Sequence, residues 1–167
     1  GEQQVVTTET FEARSVFAAD LDGDGDKDVL SASVSDNKIA WYENDGAGEF
    51  GDQQVLIIPN ANGAQSVFAA DLDGDGDSDV LSASEDDDKI AWYKNDGSGV
   101  FGGAQQVITS DAIEAQSVFA MDLDGDGDQD VLSASEEDSK IAWYENDGSG
   151  GFGDQQVITT EADDAKS

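Results

Sequence analysis

The sequence lacks cysteine and histidine, and it has a single proline among its 167 residues. Without cysteine there are no disulfides and no thiol nucleophile, and without histidine the commonest general base of enzymes is missing. Carboxylate pairs remain as candidate catalytic groups, but nearly every clustered aspartate belongs to the loops described below. We therefore expect no enzymatic activity, with a hydrolase domain as the remote alternative.

Positive charge is also scarce, because 39 acidic residues stand against seven basic ones and give a formal net charge of -32. Self-repulsion at this charge opposes a compact state unless cations offset it, so the composition predicts cation binding. Nucleic acid is not expected as a partner, since its affinity comes from Lys and Arg that neutralise phosphates. An anionic membrane surface is disfavoured for the same reason.

Long hydrophobic runs are absent as well. No apolar stretch approaches the roughly 20 residues that span a bilayer, so membrane insertion is not expected. The N-terminus lacks the basic-then-apolar pattern of a signal peptide, which leads us to expect a mature or excised segment. Helix start signals and apolar residues at helical spacing are missing too, and the sequence therefore predicts an all-β protein.

What the sequence does contain is an internal repeat. The segment SVFAADLDGDGD begins at Ser15 and Ser66, and SVFAMDLDGDGD begins at Ser117, a constant period of 51 residues. Each repeat carries four short β-like runs separated by turn-forming segments, which in the first repeat are 15–20, 28–33, 38–44 and 53–58. Four-stranded antiparallel sheets repeated at this period predict β-propeller blades. A β-sandwich is the main competitor, although a sandwich rarely repeats its sequence at blade length.

We expect three four-stranded blades, over residues 15–65, 66–116 and 117–167. An extra outer strand with its connector precedes them, over residues 1–14. The extra strand follows from a fourth copy of the QQV motif, which occurs at Gln3, Gln53, Gln105 and Gln155. Residues 3–8 and 155–160 then compete for the outer position of the last blade, or one of them hangs free. Because propellers have at least four blades, we expect self-association to complete the ring. A homodimer with six blades is favoured, with a trimer as the alternative.

An Asp-rich loop of the form DxDxDGxxD follows the first strand of each repeat. Calcium takes six to eight oxygen ligands, and alternating aspartates in a tight loop direct successive carboxylates to one centre. The spacing predicts side-chain ligands at positions 1, 3 and 5, a sharp turn at the glycine in position 6, a backbone carbonyl at position 7 and a closing carboxylate at position 9. The predicted metal-site residues are Asp20, Asp22, Asp24, Asp26, Asp28, Asp71, Asp73, Asp75, Asp77, Asp79, Asp122, Asp124, Asp126, Asp128 and Asp130.

The alternatives to a calcium loop fit this motif less well. An EF-hand needs a Glu at position 12, where this chain has Ser31, Ser82 and Ser133. Asp-Gly pairs also make simple hairpin turns, but a turn needs one such pair, whereas five carboxylates within nine residues repel one another without a cation. Magnesium dehydrates reluctantly and seldom sits in all-protein cages. The sequence therefore predicts Ca²⁺ at about one ion per blade and three per chain.

The three loops, together with the pairs Phe50-Gly51, Phe101-Gly102 and Phe152-Gly153, resemble the FG-GAP/VCBS-type repeat family. This family forms the blades of integrin-α-like propellers and of many secreted adhesion or lectin-like proteins. The resemblance covers nearly the whole chain. It implies a calcium-stabilised propeller that is secreted or located at the cell surface, and it does not by itself identify a ligand.

Each repeat ends its third strand with WYEND or WYKND. Neighbours on a strand face opposite ways, so Trp and Tyr cannot share one surface. Packing between adjacent blades is the favoured role for these rings. Stacking against sugars is the alternative, as lectin-like relatives of the family suggest. The candidate rings are Trp41, Tyr42, Trp92, Tyr93, Trp143 and Tyr144.

Two functions of different class follow from these patterns. In the first, calcium-rigidified blades form an extracellular binding module that presents loops to a protein or glycan ligand. In the second, the chain is a self-assembling fragment, excised or engineered, whose role is structural oligomerisation. Near-identical repeats weaken the case for one specialised ligand pocket, because such a pocket normally needs blades that diverge.

Overall fold

The computed structural model describes residues 3–57, 61–163 and 165 of the chain. In this part, twelve β-strands form three four-stranded antiparallel sheets. The strands are β1 (Ala13–Ala19), β2 (Asp28–Ser33), β3 (Lys38–Tyr42), β4 (Gln54–Ile57), β5 (Ala64–Ala70), β6 (Asp79–Ser84), β7 (Lys89–Tyr93), β8 (Gln106–Thr109), β9 (Ala115–Met121), β10 (Asp130–Ser135), β11 (Lys140–Tyr144) and β12 (Gln156–Thr159). No helix long and apolar enough to cross a bilayer occurs among the described residues.

Each sheet is a simple meander in which sequential strands are neighbours, and this confirms the prediction of all-β propeller blades. Blade 1 contains β1 to β4, blade 2 contains β5 to β8, and blade 3 contains β9 to β12. The register is the same in all three: Leu30 lies opposite Phe17 on one side and Trp41 on the other, and Leu81 and Leu132 have equivalent partners. A repeated sequence has therefore folded into a repeated sheet.

Every blade has two different faces because side chains alternate along its strands. We call one side of each blade its rear face; in blade 1 this side carries Leu30, Ile39 and Trp41. The opposite side is the front face, which in blade 2 carries Val67 and Val80. The rear face of blade 1 packs against the front face of blade 2 in one buried apolar cluster. The rear face of blade 2 packs against the front face of blade 3 in a second cluster. The middle sheet is thus covered on both sides, which explains the mixed small and apolar residues of its strands.

The first strands of the blades line a common axis. Strand β5 contacts both β1 and β9. The ring centroids of Phe17 and Phe68 lie 4.4 Å apart, and those of Phe68 and Phe119 lie 4.6 Å apart. The ring of blades remains open, because the front face of blade 1 and the rear face of blade 3 have no neighbouring blade within the described ranges.

The N-terminal segment differs from the expected thirteenth strand, since residues 3–8 lie outside every strand. Val6, Thr7 and Thr8 instead line a cavity together with Tyr42 and Gln53 of blade 1. An outer strand needs the third strand of a blade as its partner. In the described part of the chain no blade precedes blade 1, and the outer position of blade 3 is already occupied by β12.

Candidate metal centre

Three carboxylates converge in each Asp-rich loop. They belong to positions 1, 3 and 9 of the motif, and in every loop one oxygen from each residue lies within 4.8 Å of the others. The loop leaves the first strand of the blade and enters the second, so these carboxylates sit at one end of the sheet. The groups are Asp20, Asp22 and Asp28; Asp71, Asp73 and Asp79; and Asp122, Asp124 and Asp130.

The carboxylate at position 1 organises the turn. Asp20 accepts hydrogen bonds from the backbone N–H of Gly23 at 2.8 Å and from that of Gly25 at 3.1 Å. Gly23 and Gly25 have φ angles of 78° and 96°, a region that residues with a side chain rarely adopt. The two glycines thus let the loop wrap around a single carboxylate, and Asp71 and Asp122 are bonded in the same way.

The carboxylate at position 9 ties the loop to the sheet. Asp28 is the first residue of β2 and is fully buried. Its Oδ2 accepts a hydrogen bond from the backbone N–H of Leu21 at 2.9 Å, and its Oδ1 accepts one from that of Asn44 at 2.9 Å. Asp79 and Asp130 make the equivalent bonds. Each carboxylate oxygen keeps a second lone pair, so these bonds leave room for a metal.

Electrostatics at the site favour an added cation. Burial raises the pKa of Asp79 to about 6, against the lowering effect of the two backbone N–H donors, and the charges of Asp73 and Asp75 raise it further. Burial likewise raises the pKa of Asp28. An opposite charge among these groups would favour their ionised forms.

In the second loop, one unsatisfied oxygen bears on whether a metal fits. Asp73 Oδ1 is buried and has no hydrogen-bond partner among the described residues. A buried charged oxygen without a partner is costly. Carboxylate oxygens of this kind are the hard oxygen donors that Ca²⁺ prefers. The residues present therefore fit a hard divalent cation.

The second loop contains a contact that was not predicted from the sequence. Lys94 Nζ bonds Asp73 Oδ2 and lies 3.0 Å from Asp75 Oδ2, so an internal cation reaches this acidic loop. These contacts lower the pKa of Asp75 and raise that of Lys94 well above its usual value. Blades 1 and 3 carry Glu43 and Glu145 at the same position. The departure from WYEND in one repeat was the available signal.

The aspartates at positions 5 and 7 are not part of the convergent groups. Asp24 Oδ1 accepts a hydrogen bond from the backbone N–H of Asp26 at 2.8 Å. The side chain of Asp26 lies over Gly46, where an added Cβ would come within 2.2 Å of its Oδ2. The equivalent residues are Asp75 and Asp126 at position 5 and Asp77 and Asp128 at position 7. Their contribution to a metal site stays a prediction.

A buried asparagine of the next blade joins each of the first two Asp-rich loops to that blade. Asn95 Nδ2 donates to the carbonyl of Leu21 at 2.7 Å, and Asn146 Nδ2 donates to that of Leu72 at 2.9 Å. Both asparagines belong to the NDG triplet after the third strand, which occurs in all three repeats. This repetition was the signal in the sequence. The Asp-rich loops of blades 1 and 2 are thereby part of the contact between blades.

The aromatic rings of the WY pairs are mostly buried. Trp41 lies against Gly99 of the next blade, and Trp92 lies in the same way against Gly150, where added Cβ atoms would come within 2.6 and 2.5 Å of the indole rings. Trp143 is half-buried, because no blade follows it in the described part of the chain. The three tyrosines are buried, and their hydroxyls accept hydrogen bonds from Gln side chains: Tyr42 from Gln53, Tyr93 from Gln105 and Tyr144 from Gln155.

Comparison with known proteins gives three findings. The sequence profile of the FG-GAP-like repeat matches residues 20–82, 71–133 and 122–167, each match beginning at an Asp-rich loop. No curated protein matches the chain in sequence. Among solved structures, the chain is similar to a lectin of Agrocybe aegerita, described as specifically recognising non-reducing terminal N-acetylglucosamine. The TM-score is 0.64 at 26% identity, and the similarity covers 89% of this chain and 38% of the lectin.

Proposed function

Since the chain belongs to the family of FG-GAP-like repeat proteins, we propose that it is a calcium-stabilised propeller scaffold for recognition outside the cell. The observation that carries this proposal is the convergence of three carboxylates within 4.8 Å in each of three loops. Asp20, Asp22 and Asp28, with their equivalents in the other loops, are the proposed ligands. Secretion is the expected setting for this family, and the role is binding rather than catalysis.

Calcium would supply positive charge and a fixed coordination centre. The chain's own residues do the rest: Asp20 gathers the glycine N–H groups of the turn, and Asp28 holds the start of the loop and the end of β3 together. Because the loop after the first strand also accepts the bond from the asparagine of the next blade, ordering it stiffens the seam between blades. The scaffold is therefore expected to be rigid only when the loops hold their ions.

Calcium titration tests the proposal. Isothermal calorimetry on protein stripped of metal should give three Ca²⁺ per chain, with Mg²⁺ bound much more weakly. Chelation by excess EDTA should lower the melting temperature by a large margin. A melting curve that EDTA leaves unchanged would refute a structural role for calcium.

Glycans are the ligand class that we propose, on the basis of the similarity to the Agrocybe aegerita lectin. Adjacent calcium loops border two clefts, of about 250 Å³ between blades 1 and 2 and about 290 Å³ between blades 2 and 3. Backbone groups and polar side chains such as Ser78, Gln129 and Asn146 line them, and these suit sugar hydroxyls. Trp143 is the one ring of the six candidates that a sugar could stack on, and only in an open ring.

Calorimetric titration with N-acetylglucosamine in calcium tests this ligand class, with galactose and mannose as matched sugars. We expect saturable binding that EDTA abolishes. If a glycan array in calcium gives no signal for any sugar, glycan recognition is contradicted, and the protein-ligand or purely structural role takes its place.

The scaffold also needs further blades. Propellers typically contain four to eight blades, and the described part of this chain supplies three. We propose that two chains complete a six-bladed ring, because three chains would give nine blades and exceed the usual range. A fragment whose only role is this assembly remains the alternative function, and the absence of any ligand in the tests above would favour it.

A further inference from the structure

We infer that the two uncovered faces of the chain are complementary halves of one seam, so that the rear face of blade 3 receives the front face of blade 1 of a second copy, head to tail. This inference rests on the ring closure proposed above and assigns the residues that achieve it. It follows from two seams already present in the chain, because each shows what a front face and a rear face bury when they meet.

Exposure on the front face of blade 1 is the first observation. Val16 is 70% exposed, whereas its equivalents Val67 and Val118 are 4% and 5% exposed between blades. Ala13 is exposed as well, although the equivalent Ala64 is fully buried. The residues that blades 2 and 3 use to pack on a preceding blade are thus present on blade 1 and lack a neighbour in the described ranges.

The rear face of blade 3 also exposes apolar residues that are buried in the other two blades. Leu123 is 39% exposed, whereas Leu21 and Leu72 are 1% and 0% exposed. Leu132 and Trp143 are only half-buried, although the equivalent leucines and tryptophans of the other two blades are buried. An uncovered apolar surface therefore lies at each end of the array. The one on blade 1 is a front face, and the one on blade 3 is a rear face.

Polar groups identify the partner of each face. At both internal seams, an asparagine side chain of the later blade donates to a loop carbonyl of the earlier blade, as Asn95 does to Leu21. Asn44 of blade 1 donates to the carbonyl of Lys27 in its own blade. By analogy with Asn95 and Leu21, its second acceptor is the carbonyl of Leu123 in the other copy. Similarly, the backbone N–H of Val67 in blade 2 donates to Ser15 Oγ in blade 1 at 3.3 Å. The equivalent bond at the inferred seam joins the backbone N–H of Val16 to Ser117 Oγ of the other copy.

Aromatic contacts give the same pairing. Trp41 and Trp92 each lie against a glycine of the next blade, so Trp143 is assigned to Gly48 of the second copy. An added Cβ at Gly48 would have only Gln4 Oε1 nearby among the described residues, at 4.0 Å, so the place for the indole ring is open. Phe119 is assigned to Phe17 and would extend the row of phenylalanines around the axis.

A second copy is the occupant that these observations favour. Blade 1 offers the same front face as blades 2 and 3, and those two faces already pack on rear faces of this chain. Head-to-tail contacts generate a closed ring when the rotation between copies closes. Two copies of three blades close with two identical seams, each made of one front face and one rear face.

Variants that block one face each test the seam. Val16→Glu places a charge on the front face of blade 1, and Trp143→Glu places one on the rear face of blade 3. Val107→Glu is the matched control. Val107 is 51% exposed on the outer strand of the middle blade, so this variant adds the same charge away from the two uncovered faces. Native mass spectrometry in calcium counts the chains and the ions of each variant.

We expect wild type and Val107→Glu to be dimers, and each blocked variant to be a monomer that still binds three Ca²⁺. An equimolar mixture of Val16→Glu and Trp143→Glu should regain a dimer fraction above that of either alone, since one intact seam can form. Dimeric Val16→Glu, or a mixture without any gain, overturns the head-to-tail seam. A monomeric wild type with three ions overturns self-association while leaving the calcium scaffold standing.

Discussion

At the scale of single residues, Asp28, Asp79 and Asp130 are the positions at which the proposed metal binding would be linked to folding. Each is buried at the start of a second strand and accepts two backbone hydrogen bonds, as Asp28 does from Leu21 and Asn44. A carboxylate in this position serves the loop and the end of the third strand at once. Its removal should therefore affect both calcium binding and the stability of the blade.

Asp79→Asn tests this dual role. The amide has one acceptor oxygen, so one of the backbone N–H groups of Leu72 and Asn95 would face an NH₂ group instead. We expect a loss of about 2 kcal/mol in the free energy of unfolding and a drop from three bound Ca²⁺ to two. Asp77→Asn is the matched control, because the Asp77 side chain lies over Gly97 rather than in the convergent group. Three ions in Asp79→Asn would contradict its role as a ligand.

Lys94 makes the second loop different from the other two. Its ammonium group bonds Asp73 and contacts Asp75 and so competes with an incoming cation. We expect the blade 2 site to be the weakest of the three, and Lys94→Glu to strengthen it several-fold in calorimetric titration. Lys89→Glu makes the same change of charge at a lysine that pairs with Asp87, and it should leave the affinity of the second loop nearly unchanged. Equal effects of both variants would indicate a general charge effect.

At the scale of elements, the strands were predictable and the N-terminal segment was not. A 51-residue period with turn signals between short apolar runs defines a four-stranded blade, and all three blades follow it from β1 to β12. The QQV motif of residues 3–8 predicted a further strand, but pairing depends on a neighbouring strand that local sequence cannot supply. In the Asp loops, positions 1, 3 and 9 converge, whereas position 5, to which the spacing also assigned a side-chain ligand, lies outside the convergent groups. The contact of Lys94 with the second loop depends on the fold and could not be predicted from local sequence.

Removal of residues 1–8 tests which copy of the outer strand closes the ring. In the structure β12 already pairs with β11, whereas residues 3–8 lie outside every strand, with Val6, Thr7 and Thr8 beside Tyr42. We expect the truncated chain to form dimers at least as well as the full chain, because β12 supplies the outer strand of blade 3. Loss of dimers after truncation, with three Ca²⁺ still bound, would show that the ring uses the N-terminal segment as its outer strand.

At the scale of the whole molecule, we expect charge and the proposed assembly to be coupled. The formal charge of -32 per chain opposes the approach of two copies, and three Ca²⁺ would offset six of these charges in each chain. The offset is partial, but it falls on the loops that border the seams. We therefore expect dimers to dissociate when EDTA removes calcium. Sedimentation velocity at constant ionic strength measures this, and dimers that persist in EDTA would separate assembly from metal binding.

Native mass spectrometry with and without calcium tests the central claim most directly, because one measurement counts both chains and ions. We predict a species of two chains with six Ca²⁺, which EDTA converts to metal-free single chains. A calcium-saturated sample that contains only chains without bound metal would contradict the account at its foundation, since the three convergent carboxylate groups would then have no ion to hold.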